Sequence, residues 1–237
     1  MNKSLIIIGM LLGASLFFNV AMNFMGDNIE DFENLPLPPK KYQPLATHNP
    51  TFQVEARSRD HWTLVDFSTG KKWRINDLEK DQALLQKWDW DLAFQRTKIL
   101  TNSGVTNPKG GVGVVDLGAV DFDAIHSLPA SGFKQDTREW GSAANPALSS
   151  WYLYRTRTHN IESKKKVYVV RTADGGHMKM RILNYYCGRP ESVCKTGACT
   201  REEAACLTIE YQYLSPDQTR FPATQVGLTP SRQAAAP

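Results

Sequence analysis

His126 stands in a short acidic segment that could bind a metal ion. The histidine closes the stretch 121–126, in which Asp121 and Asp123 are separated by one residue. One imidazole and two carboxylates are a ligand set that several divalent metals accept. Acidic loops of this kind are also common as plain surface turns, and the sequence leaves both interpretations open.

His159 has a different setting, in which aromatic and basic residues precede it. Arg155 and Arg157 alternate with it along the chain, and Trp151 comes earlier in the same stretch. On a continuous strand alternate residues share one face. An imidazole can ligate haem iron while arginines bind the propionates, so the pattern predicts a haem site. A polar strand face is the alternative.

Two methionines offer a second kind of iron ligand. Met178 and Met180 also alternate, and a thioether can be an axial ligand of haem. Methionines at this spacing are more often part of a hydrophobic core.

The four cysteines favour an oxidising compartment. Cys187, Cys194, Cys199 and Cys206 are separated by six, four and six residues, and the flanking stretches 178–186 and 207–214 both resemble strands. If those strands form a hairpin, Cys187 faces Cys206 and Cys194 faces Cys199, one of three possible pairings. A zinc site is the alternative, but it usually has a close Cys pair at each end. We therefore predict two disulfides.

The N-terminal segment, residues 1–26, predicts export. Residues 4–25 contain no charged side chain, Lys3 precedes them and acidic residues follow. As a helix they would span about 33 Å, enough to cross a bilayer. We expect an uncleaved anchor, with a cleaved signal peptide as the alternative. Residues 27–50 are predicted to be an extended, Pro-rich linker. Because the segment before it predicts export, we expect the following domain to lie in the periplasm or at the cell surface.

The remaining chain, residues 51–214, predicts an all-β domain, mainly antiparallel, with one short helix. Strands are expected at 61–67, 72–75, 88–94, 151–157, 167–172, 177–186 and 207–214. The helix would begin at Asn76, with Glu79 completing a capping box and Leu78, Leu84, Leu85 and Trp88 forming its apolar face. Residues 215–237 are expected to be a disordered tail.

Several functional classes are disfavoured. The net charge is +4 with both signs interspersed, which argues against a nucleic-acid partner. Motifs of serine hydrolases, zinc proteases and phosphate-binding loops are absent, so we do not expect an enzyme. Covalent c-type haem attachment is excluded because the chain has no Cys-x-x-Cys-His motif.

Several segments, taken in order, resemble the HmuY-like family of exported haem-binding proteins. They are residues 88–104 (WDWDLAFQRTKILTNSG) followed by 109–111 (KGG), 151–154 (WYLY), 167–186 (VYVVRTADGGHMKMRILNYY) and 207–213 (LTIEYQY). The resemblance implies an all-β domain that captures haem at the bacterial surface through two axial ligands. It also implies transfer of the haem to an outer-membrane receptor, and so a role in iron acquisition.

We therefore expect non-covalent haem binding through His126 and His159, with Arg155 or Arg157 near the propionates. The alternative is an envelope module for protein interaction or assembly that has no small-molecule ligand, with the cysteine-clamped segment 187–206 as its partner surface.

Overall fold

Alternating apolar and polar residues form strands along most of the domain, as the sequence predicts. A computed structural model describes residues 47–156, 158–187, 194 and 203–222, all within one compact unit. In that part the chain forms one helical turn, α1 (Gln82–Leu85), and thirteen strands. The strands are β1 (Thr51–Glu55), β2 (Trp62–Val65), β3 (Lys72–Ile75), β4 (Leu92–Gln95), β5 (Lys98–Thr101), β6 (Gly113–Asp116), β7 (Thr137–Glu139), β8 (Ser142–Ala144), β9 (Tyr152–Arg155), β10 (Asn160–Ser163), β11 (Val167–Arg171), β12 (His177–Asn184) and β13 (Cys206–Leu214).

Two larger sheets pack against each other. One has the strand order β1-β13-β12-β11-β6 and the other β3-β2-β4-β5, and β7–β8 and β9–β10 form separate hairpins. All these strand pairs are antiparallel. The structure is therefore an all-β antiparallel sandwich with one short helix, as predicted.

The main core lies between the two sheets. Met178 and Met180 from β12 pack there with Leu92 and Phe94 from β4, and all four side chains are buried. The alternation along β12 predicts this burial, and it gives the two methionines a structural role rather than an axial one.

Each sheet also has a covered outer face. Leu64, Leu85, Trp90 and Leu100 belong to an outer cluster on the four-stranded sheet. Val169, Leu214 and Phe221 form the centre of another on the five-stranded sheet, where part of segment 117–133 packs against them. Because both its faces are covered, β4 is buried on both sides, and it begins only at Leu92 within the predicted strand 88–94.

The helix is shorter than predicted. Asp77, rather than Asn76, caps the preceding turn, since its Oδ1 accepts hydrogen bonds from the backbone N–H groups of Glu79 (2.9 Å) and Lys80 (3.2 Å). The helix then comprises Gln82–Leu85 alone. Leu85 is buried but Leu84 is exposed, so the expected apolar face is only partly used.

The predicted domain boundary at residue 214 is too early. Residues 215–222 belong to the described structure, and Phe221 is buried against the outer face of the five-stranded sheet. Its backbone N–H donates to the carbonyl of His126 at 2.9 Å, which fixes this extension in place. Residues 223–237 lie outside the described part of the chain.

The predicted membrane segment, residues 1–26, also lies outside the described residues, as does most of the linker. Within residues 47–222, as far as the structure describes them, no helix has the length and apolar character needed to cross a bilayer.

Candidate functional site

His159 lies in the turn between β9 and β10, not on a strand. Strand β9 ends at Arg155, and His159 has a left-handed backbone with φ of 56°. The predicted strand 151–157 is therefore too long. The turn brings His159 back beside Tyr154, whose hydroxyl is 2.6 Å from Nδ1. The Nε2 atom has no hydrogen-bond partner among the described residues.

A surface cavity of about 420 Å³ opens beside this histidine. Tyr154, His159, Tyr185 and Tyr186 are among the residues that line it. The Tyr186 hydroxyl accepts a hydrogen bond from the Ile161 backbone N–H at 2.9 Å, which fixes the β9–β10 hairpin to this wall. Burial raises the pKa of Tyr185 to about 12, so its phenol stays neutral at physiological pH.

Two arginines also line the cavity. Arg96 follows β4 and adopts a left-handed backbone with φ of 56°, and Arg59 precedes β2. The Gln95 side chain donates to the Arg59 carbonyl at 3.1 Å and so links the two segments. Within the described residues neither guanidinium forms an ion pair, and Arg96 Nη1 donates to the Arg57 carbonyl at 3.4 Å. No periodic signal in the sequence marks these arginines because each lies in a connection between strands.

His126 is not in this cavity. The residue is exposed, and its neighbours Ile125 and Leu128 pack on the outer face of the five-stranded sheet. Tyr185 and Tyr186 instead belong to the core on the opposite face of that sheet. One iron would need both imidazole nitrogens about 2 Å from it. The geometry thus does not support His126 and His159 as a pair on one haem.

Arg155, one of the two predicted propionate contacts, forms an ion pair within the domain instead. Arg155 pairs with Glu162 across the β9–β10 hairpin, with both Nε and Nη2 at 2.8 Å from Oε2. Adjacent strand residues point to opposite faces, so Arg155 faces away from Tyr154 and does not line the cavity. The expected shared face of Arg155 and His159 is wrong because the strand ends between them. Arg157 lies outside the described residues.

The hairpin of β12 and β13 is closed by a disulfide between Cys187 and Cys206, as the spacing predicts. The ligand atoms of Glu55 and these cysteines lie within 4.8 Å of one another, but the disulfide leaves no thiolate for zinc. Cys194 is also disulfide-bonded, while its predicted partner Cys199 lies outside the described residues.

Asp91 is a buried carboxylate inside the WDWDLAF segment. Its two oxygens accept hydrogen bonds from the backbone N–H groups of Phe67 and Ala173, each at 2.8 Å. Burial raises its pKa to about 7, and the nearby carboxylates of Asp66 and Asp174 add to the increase. Asp91 therefore joins a loop of one sheet to a hairpin turn of the other.

Asp136 is a second buried carboxylate, and it accepts four hydrogen bonds. Oδ1 accepts from the Thr101 hydroxyl (2.7 Å) and the Asn145 amide (3.0 Å). Oδ2 accepts from the Thr101 backbone N–H (2.9 Å) and the Thr106 hydroxyl (2.6 Å). Burial raises the pKa of this carboxyl. Sequence inspection missed Asp136, since an isolated aspartate in a polar stretch gives no signal of burial.

Lys179 is a third missed group. It is fully buried on the outer face of the five-stranded sheet, where its Nζ donates to the carbonyls of Phe122 and Ile125 at 3.0 Å each. The same nitrogen lies 4.6 Å from the centre of the Phe122 ring. Burial lowers the pKa of Lys179. This lysine fastens segment 122–125 to the sheet, which gives it a structural role.

The two packed antiparallel sheets define the class as an all-β sandwich with a ligand-sized surface cavity. A family model described as HmuY protein matches residues 58–196, more than half of the chain. The chain belongs to the HmuY family.

Solved structures show the same fold. The apo HmuY analogue of Tannerella forsythia superposes with a TM-score of 0.53 and 17% identity, over 73% of this chain and 100% of that one. Apo PinO from Porphyromonas gingivitis gives 0.53 and 17%, over 72% and 100%. A Bacteroides vulgatus protein, provisionally described as HmuY-like and heme-binding, gives 0.49 and 21%, over 73% and 94%. A search of curated protein sequences finds no match.

Proposed function

We propose that this domain is exported and binds haem without covalent attachment in the cavity beside His159, as a binding protein rather than an enzyme. Family membership and the resemblance described above suggest the ligand. The single observation that carries the assignment is the Tyr154–His159 hydrogen bond beside a cavity that Arg59 and Arg96 also line. The Cys187–Cys206 disulfide agrees with a site outside the cytoplasm.

The residues around the cavity fit the chemistry of haem. Ligand sites commonly enclose about 300–1,000 Å³, and this cavity falls in that range. Ile161, which is partly exposed, and the exposed ring of Tyr154 offer apolar surface to the porphyrin. Arg59 and Arg96 offer guanidinium groups to the two propionates, and such pairs are strong when bidentate.

His159 is the proposed iron ligand. A coordinating imidazole usually donates its other ring N–H to an acceptor, which fixes the tautomer and the ring orientation. Here Nδ1–H would donate to the Tyr154 oxygen and leave the Nε2 lone pair for iron. Bound haem would supply an iron centre with open axial positions. Tyr154 would act through His159 as a positioning residue.

Of the described residues that line the cavity, His159 is the single histidine and none is a methionine. We therefore expect His159, and not His126, to be required for the spectrum of bound haemin.

A haemin titration of the full chain, followed in the Soret and visible bands, tests the proposal. We expect saturable binding of one haemin, a lower affinity and a changed Soret band in His159→Ala, and unchanged binding in the matched control His126→Ala. Tyr154→Phe should weaken binding by about tenfold or more, since it removes the group that orients the ligand. A wild-type chain that gives no spectral change on addition of haemin refutes the function.

The physiological role follows from the same proposal. A domain of this kind outside the cytoplasm would serve iron acquisition, and an outer-membrane receptor or another envelope protein would take the haem from it. A membrane anchor at residues 1–26 would keep it in the periplasm or at the cell surface.

The alternative is an interaction or assembly module without a ligand, and the disulfide that closes segment 187–206 is the observation in its favour. It predicts an envelope protein that co-purifies with the wild-type chain and is lost when residues 188–205 are replaced by a short linker. Unchanged co-purification would argue against that segment as the partner surface.

A further inference from the structure

The Cys187–Cys206 disulfide joins two chain segments that both line the His159 cavity. Tyr186 lines the cavity and directly precedes Cys187, and Ala204 lines it two residues before Cys206. The first segment follows β12 and the second leads into β13. The disulfide therefore holds together two strand ends that contribute to the same cavity.

The backbone beside the disulfide has a conformation that the surrounding structure must impose. Cys187 and Ala205 are both left-handed, with φ of 50° and 62°. Residues other than glycine rarely adopt this conformation, and it persists only where other contacts hold it. Two backbone hydrogen bonds do so, from the Cys187 N–H to the Cys206 carbonyl at 2.8 Å and from the Cys206 N–H to the Tyr185 carbonyl at 3.2 Å. The disulfide is the covalent part of this restraint.

Hydrogen bonds extend the restraint to two other parts of the cavity. The Ala205 carbonyl accepts from the Ala56 N–H at 2.8 Å, and the Ala56 carbonyl accepts from the N–H of Arg96, a cavity residue, at 2.7 Å. On the other segment, the Tyr186 hydroxyl accepts from the Ile161 N–H at 2.9 Å. The backbone of Arg96 and the β9–β10 hairpin are therefore both held by residues next to the disulfide.

One sulfur of the disulfide is within reach of a reductant. Cys187 is partly exposed, whereas Cys206 is fully buried. The Arg57 guanidinium lies 3.0 Å from the Cys187 sulfur, and a positive charge attracts an incoming thiolate. A dithiol that attacks Cys187 forms a mixed disulfide and expels the Cys206 thiolate, and its second thiol then releases Cys187. The protein gains two electrons and two protons as two thiols, and the dithiol becomes a disulfide.

We infer that the Cys187–Cys206 disulfide is a redox-sensitive switch for the His159 cavity, whose reduction by a dithiol frees the two strand ends and weakens ligand binding. The inference rests on the proposed function for the identity of the ligand. The coupling between the disulfide and the cavity stands on the contacts of the protein alone. Because thiol–disulfide exchange is reversible, the oxidised chain would hold the ligand tightly and the reduced chain would release it.

Haemin titrations of the full chain test the effect on binding. The chain has four cysteines, so Cys194→Ala/Cys199→Ala leaves Cys187 and Cys206 as the only pair. Reduction of this variant with dithiothreitol, followed by anaerobic removal of the reagent, should raise the haemin Kd about fivefold or more, as coupled sites do. The matched control is Cys187→Ala/Cys206→Ala, which should bind haemin weakly from the start and give the same Kd after the same treatment.

Hydrogen exchange of single backbone amides tests the coupling without haem. Reduction should speed the exchange of the Ile161 and Arg96 N–H groups by about fivefold or more, because local opening then needs no broken covalent bond. The Thr101 N–H, which donates to the buried Asp136, is the internal control and should exchange at an unchanged rate. An equal rise at Thr101 would show general destabilisation and overturn the inference.

The two measurements separate this inference from the proposed function. Equal haemin Kd values for the oxidised and reduced chains, or equal exchange rates at Ile161, would overturn the inference and leave the proposed function intact. A wild-type chain that binds no haemin in either state would refute the proposed function, and the exchange rates would then decide the coupling alone.

Discussion

The interior around Asp91 and Asp136 and the rim, meaning the exposed turns of His159 and Trp140, use polar and aromatic residues in opposite ways. In the interior both carboxylates are buried and accept short hydrogen bonds from fixed donors. At the rim, an imidazole and an indole are exposed, and both residues have left-handed backbones. The interior carboxylates are satisfied by donors within the domain, whereas the rim side chains are exposed to solvent.

This difference explains where the family resemblance lies. The WDWDLAF and TNSG segments supply Asp91 and the donor Thr101, and these hold sheets and loops together. His159 lies in a turn outside the motif segments, whereas Arg96, Tyr154, Tyr185 and Tyr186 of the cavity lie inside them. The motif segments therefore contain both scaffold residues and part of the cavity lining.

The largest effect is expected from Asp136→Ala. Removing this carboxylate leaves the Thr101 N–H and the Thr106 hydroxyl without an acceptor in a buried site, and it removes one of the acceptors of the Asn145 amide. We expect the free energy of unfolding to fall by about 3–5 kcal/mol, measured by denaturant titration.

Glu139→Ala, a nearby exposed residue, is the matched control and should stay within about 0.5 kcal/mol of wild type. A loss below 1 kcal/mol in Asp136→Ala, on the order of a surface substitution, would contradict the separation of interior from rim.

A smaller effect should appear in the pH dependence of stability. The pKa of Asp91 is raised to about 7 in the folded protein, chiefly by burial, so the folded state keeps a proton that the unfolded chain loses near its ordinary pKa of about 4. The stabilisation from this group is complete below that ordinary pKa and is lost as the pH rises to about 7.

Denaturant titrations of wild type and Asp91→Asn from pH 4 to pH 8 check this prediction. Relative to the variant, the wild-type free energy of unfolding should fall with a slope of at most about 1.4 kcal/mol per pH unit and then level off. Parallel curves for the two proteins would show that Asp91 titrates normally in the fold.

The sequence was sufficient for much of the interior. Alternation located β2, β3, β11, β12 and β13, and the palindromic cysteine spacing led to the Cys187–Cys206 disulfide. Each strand with one buried face needs apolar residues at alternate positions, and this need produces a periodic pattern in the sequence. Asp136 and Lys179 escaped detection because their burial depends on partners distant in sequence.

The rim was predicted less well for a physical reason. The alternation predicts a strand through Arg157 that would place Arg155 and His159 on one face, although the chain turns after Arg155. Turn residues meet few periodic constraints, and only its residue type and its nearness to the motifs point to His126. The cavity is assembled from connections separated by up to 145 residues, such as Arg59 and Ala204, and only the fold brings them together.

The smallest effect is expected in the rate at which thiols reduce the Cys187–Cys206 disulfide. This disulfide joins a partly exposed residue to a buried one, and so it lies at the boundary of the two regions. Cys206 is fully buried, so an external thiolate reaches Cys187 and expels the Cys206 thiolate. That leaving sulfur lies 3.2 Å from the Glu55 carboxylate, whereas the Arg57 guanidinium lies 3.0 Å from the Cys187 sulfur.

The two charges should therefore change the reduction rate in opposite directions. Glu55→Gln removes repulsion of the leaving thiolate and should speed reduction by dithiothreitol about twofold to fivefold, the range set by partly exposed charges. Arg57→Gln removes attraction of the incoming thiolate and should slow it by a similar factor. Equal rates in all three chains would mean that the thiol attacks only after the hairpin opens locally. Cys206 would then be accessible to solvent when it reacts, as the rim residues are.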